Sequence, residues 1–220
     1  MRHILAHDVG TSGNKATLYT ETGQQVASVT VSYPSRFFNG TWAEQDPDDW
    51  WRAVCDSTKA LLQQAAVQPG DIAVVAVSGQ MMGCTPVDAH GCALRPSILY
   101  CDQRATQQEE RLRTACDPHW FYGVCGHRIS ASYTLEKLMW IRDNEPEVFK
   151  KTCKTLCAKD YINCRLTGVM VTDFSDASGT NAFDLNTFRW SSEICENAGV
   201  SVDLFPDAVE STSLIGEIGR

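Results

Sequence analysis

The residues of this sequence best equipped for chemistry lie within its first fifteen positions. Asp8 is followed by Gly10, Thr11, Ser12 and Gly13, and then by Lys15. A carboxylate can hold a hard cation through oxygen, a lysine supplies a compact positive charge, and successive N–H groups of a small-residue turn can form a concave anion site. These are the parts needed to grip the terminal phosphates of a nucleotide and their Mg²⁺. A plainer reading stays open beside it, in which Asp8 closes a hairpin by accepting turn amides. The spacing is not that of a Walker A loop, and no G-x-G-x-x-G opens a helix anywhere in the chain.

Two further stretches carry polar or adaptable groups directly after strand-like runs. Ser78-Gly79-Gln80-Met81-Met82-Gly83 follows the apolar run Ile72 to Val77, and Asp102-Gln103-Arg104 follows Ala93 to Tyr100. Ligands of α/β proteins collect at the carboxyl ends of strands, where glycines let a backbone approach closely. A carboxylate, an amide and a guanidinium in a row suit several hydroxyls at once, as a sugar presents. The simpler alternatives are a core-plugging pair of methionines, an Asp that caps a helix, and an Arg paired with a Glu.

The elements that must position these groups follow from periodicity. Residues 4–9 and 14–19 predict a hairpin, and the alternating 25–31 predicts a third antiparallel strand. Asp46 as N-cap and Pro47 at the first helical position start a helix with a buried stripe of Trp50, Val54, Leu61 and Ala65. The continuous apolar run from Ile72 to Val77 suits a strand covered on both faces. Cys84 to Val87 and Ala93 to Tyr100 predict another hairpin-like pair, and 104–113 an exposed helix. Helices are further expected from Thr134, at Glu145-Pro146, from Asp160 to Leu166 and near Ser192 to Ala198. Three antiparallel strands, a helix and a buried strand resemble the opening of the ribonuclease-H-like fold of actin and the sugar kinases.

With 220 residues the chain can bury a sizeable core, and its formal charge of −8 argues against broad binding to nucleic acid or an anionic membrane. The ten cysteines include no C-x-x-C pair, so a zinc site is not expected. The N-terminus has no apolar leader and no stretch approaches a membrane span, so reduced cytoplasmic thiols are the expectation.

Taken in order, the motifs resemble one family, the FGGY carbohydrate kinases, and within it xylulokinase. They are Asp8 to Lys15, Trp42-Ala43-Glu44-Gln45-Asp46-Pro47-Asp48-Asp49-Trp50-Trp51, Ser78 to Gly83, Arg95-Pro96 through Arg104, Tyr133 to Leu138, and Ser175-Asp176-Ala177-Ser178-Gly179-Thr180. The resemblance implies an α/β, ribonuclease-H-like (actin/hexokinase-type ATPase) domain with a mixed sheet and flanking helices. Its core would comprise residues 1–83 and 153–220, and an inserted subdomain residues 84–152. It implies transfer of the γ-phosphoryl group of ATP to a sugar hydroxyl, with D-xylulose as first choice. Asp8 would position Mg²⁺ and the γ-phosphate, Gly10, Thr11, Ser12, Gly13 and Lys15 would form the first phosphate loop, and Gln80, Met81, Met82, Asp102, Gln103 and Arg104 would line the sugar side.

Two departures follow from the same resemblance. Met82 stands where xylulokinases usually have His, which leaves other ketoses or polyols such as ribulose, glycerol or erythritol open. No Gly-Gly-Gly-Asp motif occurs, so the general base and the ATP-binding second domain are expected outside this chain, and the fragment alone is expected to be inactive. A homodimer is compatible with the resemblance. Competing expectations are a non-catalytic actin-like or sugar-sensing module and, more distantly, a ribonuclease-H-type nuclease.

Overall fold

The computed structural model describes residues 2–218. The N-terminal strand signals become β1 (His3–Val9), β2 (Gly13–Thr20) and β3 (Gln25–Ser32), an antiparallel meander with Leu5 opposite Leu18 and Asp8 opposite Lys15. Strand alternation sorts the faces: Leu5, Val9, Ala16 and Leu18 are buried on one side, while Asp8 and Lys15 are exposed on the other. Two short strands absent from the sequence reading follow, β4 (Arg36–Phe38) and β5 (Trp42–Gln45).

The next helix, α1 (Pro47–Ala65), forms for the reasons its first residues give. The Asp46 side chain accepts from the Asp48 N–H at 2.9 Å, Pro47 has no N–H to leave unpaired, and Asp48 and Asp49 complement the positive end of the helix dipole. Ala66 ends it in the left-handed region at φ 53°. Trp50, Ala53, Val54, Ser57 and Leu61 make the buried stripe, which lies against β2 and β3. Beneath it His7, 3% exposed, contacts Asn14 Nδ2 at 3.0 Å, and that amide also donates to Ser57 Oγ at 2.8 Å.

The chain continues through β6 (Ile72–Gly79), β7 (Thr85–Val87), β8 (Ser97–Ile98), α2 (Thr106–Ala115), α3 (Pro118–Cys125), α4 (Thr134–Asn144), α5 (Pro146–Lys151) and β9 (Lys154–Leu156). Then come α6 (Ala158–Thr167), β10 (Val171–Asp173), α7 (Phe174–Ser178), β11 (Phe183–Asp184), β12 (Arg189–Trp190), α8 (Ser192–Ala198) and β13 (Asp207–Val209). β6 lies parallel to β1 and completes a mixed sheet of order β3-β2-β1-β6. α6 packs against β6 on the same side as α1, while Ala73, Val74 and Ala76 remain exposed, Val74 at 42%. The apolar run therefore forms the predicted strand, but an edge strand covered on one face among the described residues.

Two other local expectations change. Cys84 to Val87 meets 93–100 in the expected hairpin-like way only through antiparallel bridges at Cys84–Ile98 and Val87–Ala93 and a Leu94 N–H bond to the Pro86 carbonyl at 2.9 Å, while the continuous ladders run elsewhere, β7 with β9 and β8 with β5. Residues 118–125, without a clear period in sequence, form α3 because Asp117 caps the His119 and Trp120 amides and Pro118 occupies the first turn. The largest apolar cluster joins α2, α3, α4 and α8 through Leu112, Phe121, Leu135, Leu138 and Ile194. All ten cysteines are free, six of them buried. Among the described residues no helix is long and apolar enough to cross a membrane.

Candidate functional site

The glycine-rich turn of the first hairpin has its carbonyls drawn inward. Gly10 N–H donates to the Gly13 carbonyl at 3.1 Å, Tyr33 Oη to the Gly10 carbonyl at 2.5 Å, Gln45 Nε2 to the Thr11 carbonyl at 2.6 Å and Tyr33 N–H to the Ser12 carbonyl at 3.2 Å. With the oxygens held by the protein, the Thr11 and Ser12 N–H groups have no acceptor among the described residues, and both residues are exposed. Gly13 is required where it stands, because a Cβ there would lie 2.7 Å from the Val31 carbonyl oxygen. Lys15 and Asp8 face each other across the β1–β2 ladder, with Ser78 of β6 on the other side of Asp8. Burial and the nearby Asp8 charge both push the Tyr33 hydroxyl well above its ordinary pKa, which keeps it a donor to Gly10.

A fifth strand residue ties this turn to the second candidate stretch. Gln45, 2% exposed, accepts from Trp50 Nε1 at 2.8 Å and from Gln80 Nε2 at 2.7 Å, while its own amide donates to Thr11 and, at 2.8 Å, to Ser35 Oγ. Its side chain thereby joins the phosphate-type hairpin, the loop at Ser35, α1 and the turn after β6. Gln80 continues from the end of β6, and its N–H donates to the Val9 carbonyl at 2.9 Å. Met81 is 37% exposed, and Met82 takes the left-handed conformation at φ 60°. A Cβ on Gly179 would meet Met81 Cε at 2.9 Å, so the glycine lets the 176–180 turn lie against this segment.

The third stretch divides. Asp102 is fully buried, and Arg104 Nε and Nη2 donate to its carboxylate at 2.8–3.0 Å while Arg104 Nη1 donates to Glu44 Oε1 at 2.8 Å. The Ala43 N–H donates to Asp102 Oδ2 at 2.6 Å, and the guanidinium lies 4.0 Å over the Trp42 ring. Asp102 and Arg104 therefore engage each other and β5, and Asp102 does not cap α2, whose N-cap Ala105 has no side-chain bond. The Gln103 side chain joins neither of them and donates from Nε2 to Ser132 Oγ at 2.7 Å. β5 is thus the common support: Ala43 and Glu44 hold the 102–104 segment while Gln45 holds Thr11 and Gln80.

A buried acidic group lies behind the Met81–Met82 turn. Lys159 Nζ sits 2.5 Å from Asp160, 3.1 Å from Asp173 and 3.2 Å from Asp176. Cys157, Asp160 and Asp176 have the mutual closeness of a metal-binding trio, but the Lys159 ammonium already supplies a cation to both carboxylates. Burial, followed by repulsion from Asp160, raises the Asp176 carboxyl to about 7, and the surrounding carboxylates hold the Lys159 ammonium firmly charged against its burial.

Sequence reasoning singled out Asp8, the 10–15 turn, 80–82 and 102–104 but gave no role to Tyr33, Gln45, Ser132 or Lys137. Gln45 carried one usable signal, its place in the Glu-Gln-Asp-Pro segment just before a capped helix. Tyr33 and Ser132 lie in loops whose partners are set by tertiary placement alone.

Comparison with known proteins identifies the family and the fold. The model of the N-terminal domain of the FGGY family of carbohydrate kinases matches residues 3–220. The xylulose kinase of Bacillus subtilis is 34% identical over 99% of this chain, which spans 44% of that relative. A solved xyloylose kinase from Brucella ovis superposes with a TM-score of 0.91 at 32% identity, covering 99% of this chain and 45% of its own. A gluconate kinase from Lactobacillus acidophilus superposes equally well, TM-score 0.91 at 29% identity, over 99% of this chain and 44% of its own. The chain thus spans less than half the length of these relatives and has the actin/hexokinase-like fold of sugar kinases. It belongs to the FGGY family of carbohydrate kinases, as that family's N-terminal domain.

Proposed function

We propose that this chain is the acceptor-binding half of an ATP-dependent sugar kinase whose first-choice substrate is the ketopentose D-xylulose. The observation that carries the reading is the Gln45 bridge, which makes a hairpin with two outward amides and a turn suited to a sugar into one hydrogen-bonded unit. Thr11 and Ser12 amides, with Lys15, are assigned to the transferred phosphate. Gln80, Met81, Met82 and Gln103 are assigned to the acceptor, with Asp102 and Arg104 forming the buried wall behind them. Phosphoryl transfer depends on positioning and charge stabilisation more than on covalent chemistry, so a rigid link between the two grips is the useful contribution of this half.

The metal reading rests on Asp8. Its carboxylate is exposed and accepts no hydrogen bond among the described residues, which fits an ion that takes one or two carboxylates and completes its shell with water and phosphate oxygens. Bound there, Mg²⁺ would neutralise charge on the phosphates. Lys15, opposite Asp8, is placed to add a second positive charge.

The general base is assigned to the part of the kinase outside this chain, since Asp173 and Asp176 are engaged by Lys159. The test is direct. The 220-residue protein should bind D-xylulose weakly by calorimetry and show no sugar-dependent ADP release in a coupled assay. Robust sugar-dependent ADP release would overturn the assignment of the base.

A further inference from the structure

Lys137 is 0% exposed and makes no ion pair among the described residues, an unusual position for an ammonium. Its Nζ donates to the main-chain carbonyls of Met82, at 2.8 Å, and Ser132. One turn of α4 earlier, Thr134 Oγ1 donates to the Gly83 carbonyl at 3.0 Å. Two successive carbonyls of the 80–83 turn are therefore drawn down onto the start of α4. Met82 is turned to φ 60°, a conformation that a non-glycine residue adopts at a cost and that persists only where surrounding contacts impose it. With those carbonyls inward, Met81 is left facing outward at 37% exposure. The second Lys137 acceptor belongs to Ser132, whose hydroxyl accepts from Gln103 Nε2 at 2.7 Å.

We propose that Lys137 is the positioning residue of the acceptor side, fixing the Met82 turn and the Ser132–Gln103 pair in one register so that a sugar meets a preformed surface. The proposal rests on the acceptor-side assignment made above. A buried, desolvated ammonium is a costly way to satisfy two carbonyls if fold stability were its whole purpose; burial already draws its pKa down to about 8. Lysine is suited to the task because three donors on a flexible stem can hold two carbonyls that belong to different loops. The residue does not reach solvent, so it acts through the turn and not by touching the substrate.

The test uses Lys137→Met, which keeps the length and removes the donors, and Lys137→Gln, which keeps a donor and protects against failure of the first variant to fold. D-xylulose affinity is measured by calorimetry on the 220-residue protein, and backbone amide spectra are recorded without sugar. The expected result is a cooperatively folded Lys137→Met protein with affinity reduced at least about 10-fold, an intermediate loss in Lys137→Gln, and amide shifts concentrated at Gln80–Gly83, Ser132 and Gln103. Unchanged affinity with unmoved Gln80–Gly83 amides would overturn it, as would shifts spread evenly over the whole spectrum in both variants. If the unsubstituted protein binds no ketose while the Gln80–Gly83 amides still move in the variants, the kinase-half reading fails and the hold of Lys137 on the turn stands.

Discussion

Replacing Gln45 by Leu should be the most damaging single change to the framework of the site. The substitution preserves approximate size and removes four hydrogen bonds at 2.6–2.8 Å, to Thr11, Ser35, Trp50 and Gln80. Their partners are not equally exposed. Trp50 is 1% exposed, so its indole N–H loses its acceptor without access to water, at a cost of about 1–3 kcal/mol. Thr11 is exposed, and Ser35 and Gln80 are partly so; water can replace much of what they lose, leaving about 1 kcal/mol in total from those three. The sum is about 2–4 kcal/mol, equivalent to a fall in Tm of about 5–15 °C for a chain of this size. Urea denaturation followed by circular dichroism, with amide spectra of Thr11, Ser12 and Gln80, measures both stability and coupling. Gln45→Glu keeps the acceptor for Trp50 and Gln80 but loses the donors, so its amide shifts should be larger at Thr11 than at Gln80. Gln63→Leu, on the exposed side of α1, is the control and should change stability by no more than about 0.5 kcal/mol. A loss below about 1 kcal/mol for Gln45→Leu, or amide shifts confined to one of the two loops, would refute the bridge.

Two other outcomes follow from buried charge. Glu136 is 0% exposed, accepts from Asn181 Nδ2 at 2.9 Å and the Ser130 N–H at 3.2 Å, and leaves Oε2 unpartnered; burial raises its carboxyl to about 7. The folded protein therefore holds this proton more tightly than the unfolded chain, and stability should fall as pH rises from about 4.5 to about 7, by roughly 3 kcal/mol in all. His7 acts with the opposite sign: burial lowers it to about 4, so its contribution is lost as pH falls below about 6.5. The readout is accordingly the difference between Glu136→Gln and the unsubstituted protein, which should grow from pH 5 to pH 8 in favour of the variant; parallel curves would contradict the buried carboxyl. Arg104→Met leaves the buried Asp102 without its cation and Glu44 with Arg95 alone, and should cost about 3–5 kcal/mol in denaturant titrations. A loss below 1 kcal/mol would mean that Arg104 is not structural.

The parts of the fold legible in sequence were those governed by local rules. Asp46-Pro47 set the start of α1, glycine and hydroxyl residues set the β1–β2 turn, and Gly168 set the end of α6 at φ 76°. The edge position of β6 was not legible, because an apolar run reports hydrophobicity and not how many neighbours a strand will have. β4 and β5 were hidden for a related reason: three or four residues are too few for a period, and their pairing with each other and β8 is tertiary. The candidate site divides the same way. Asp8, Lys15 and the 80–83 turn stand next to strand ends and could be picked from residue type, whereas Gln45 and Lys137 act across 34 and 55 positions of sequence. Their importance is set by which loops the fold brings to them.

The central claim is that Asp8 and the 10–15 hairpin serve phosphoryl transfer while the 80–83 turn serves the acceptor. It is tested most directly by Asp8→Ala in the longer kinase that we propose this chain belongs to, assayed for ATP-dependent phosphorylation of D-xylulose alongside calorimetry of sugar binding. The account predicts transfer reduced about 100-fold or more, with D-xylulose affinity unchanged within about a factor of two. Unchanged transfer would leave Asp8 as a turn residue and contradict the account.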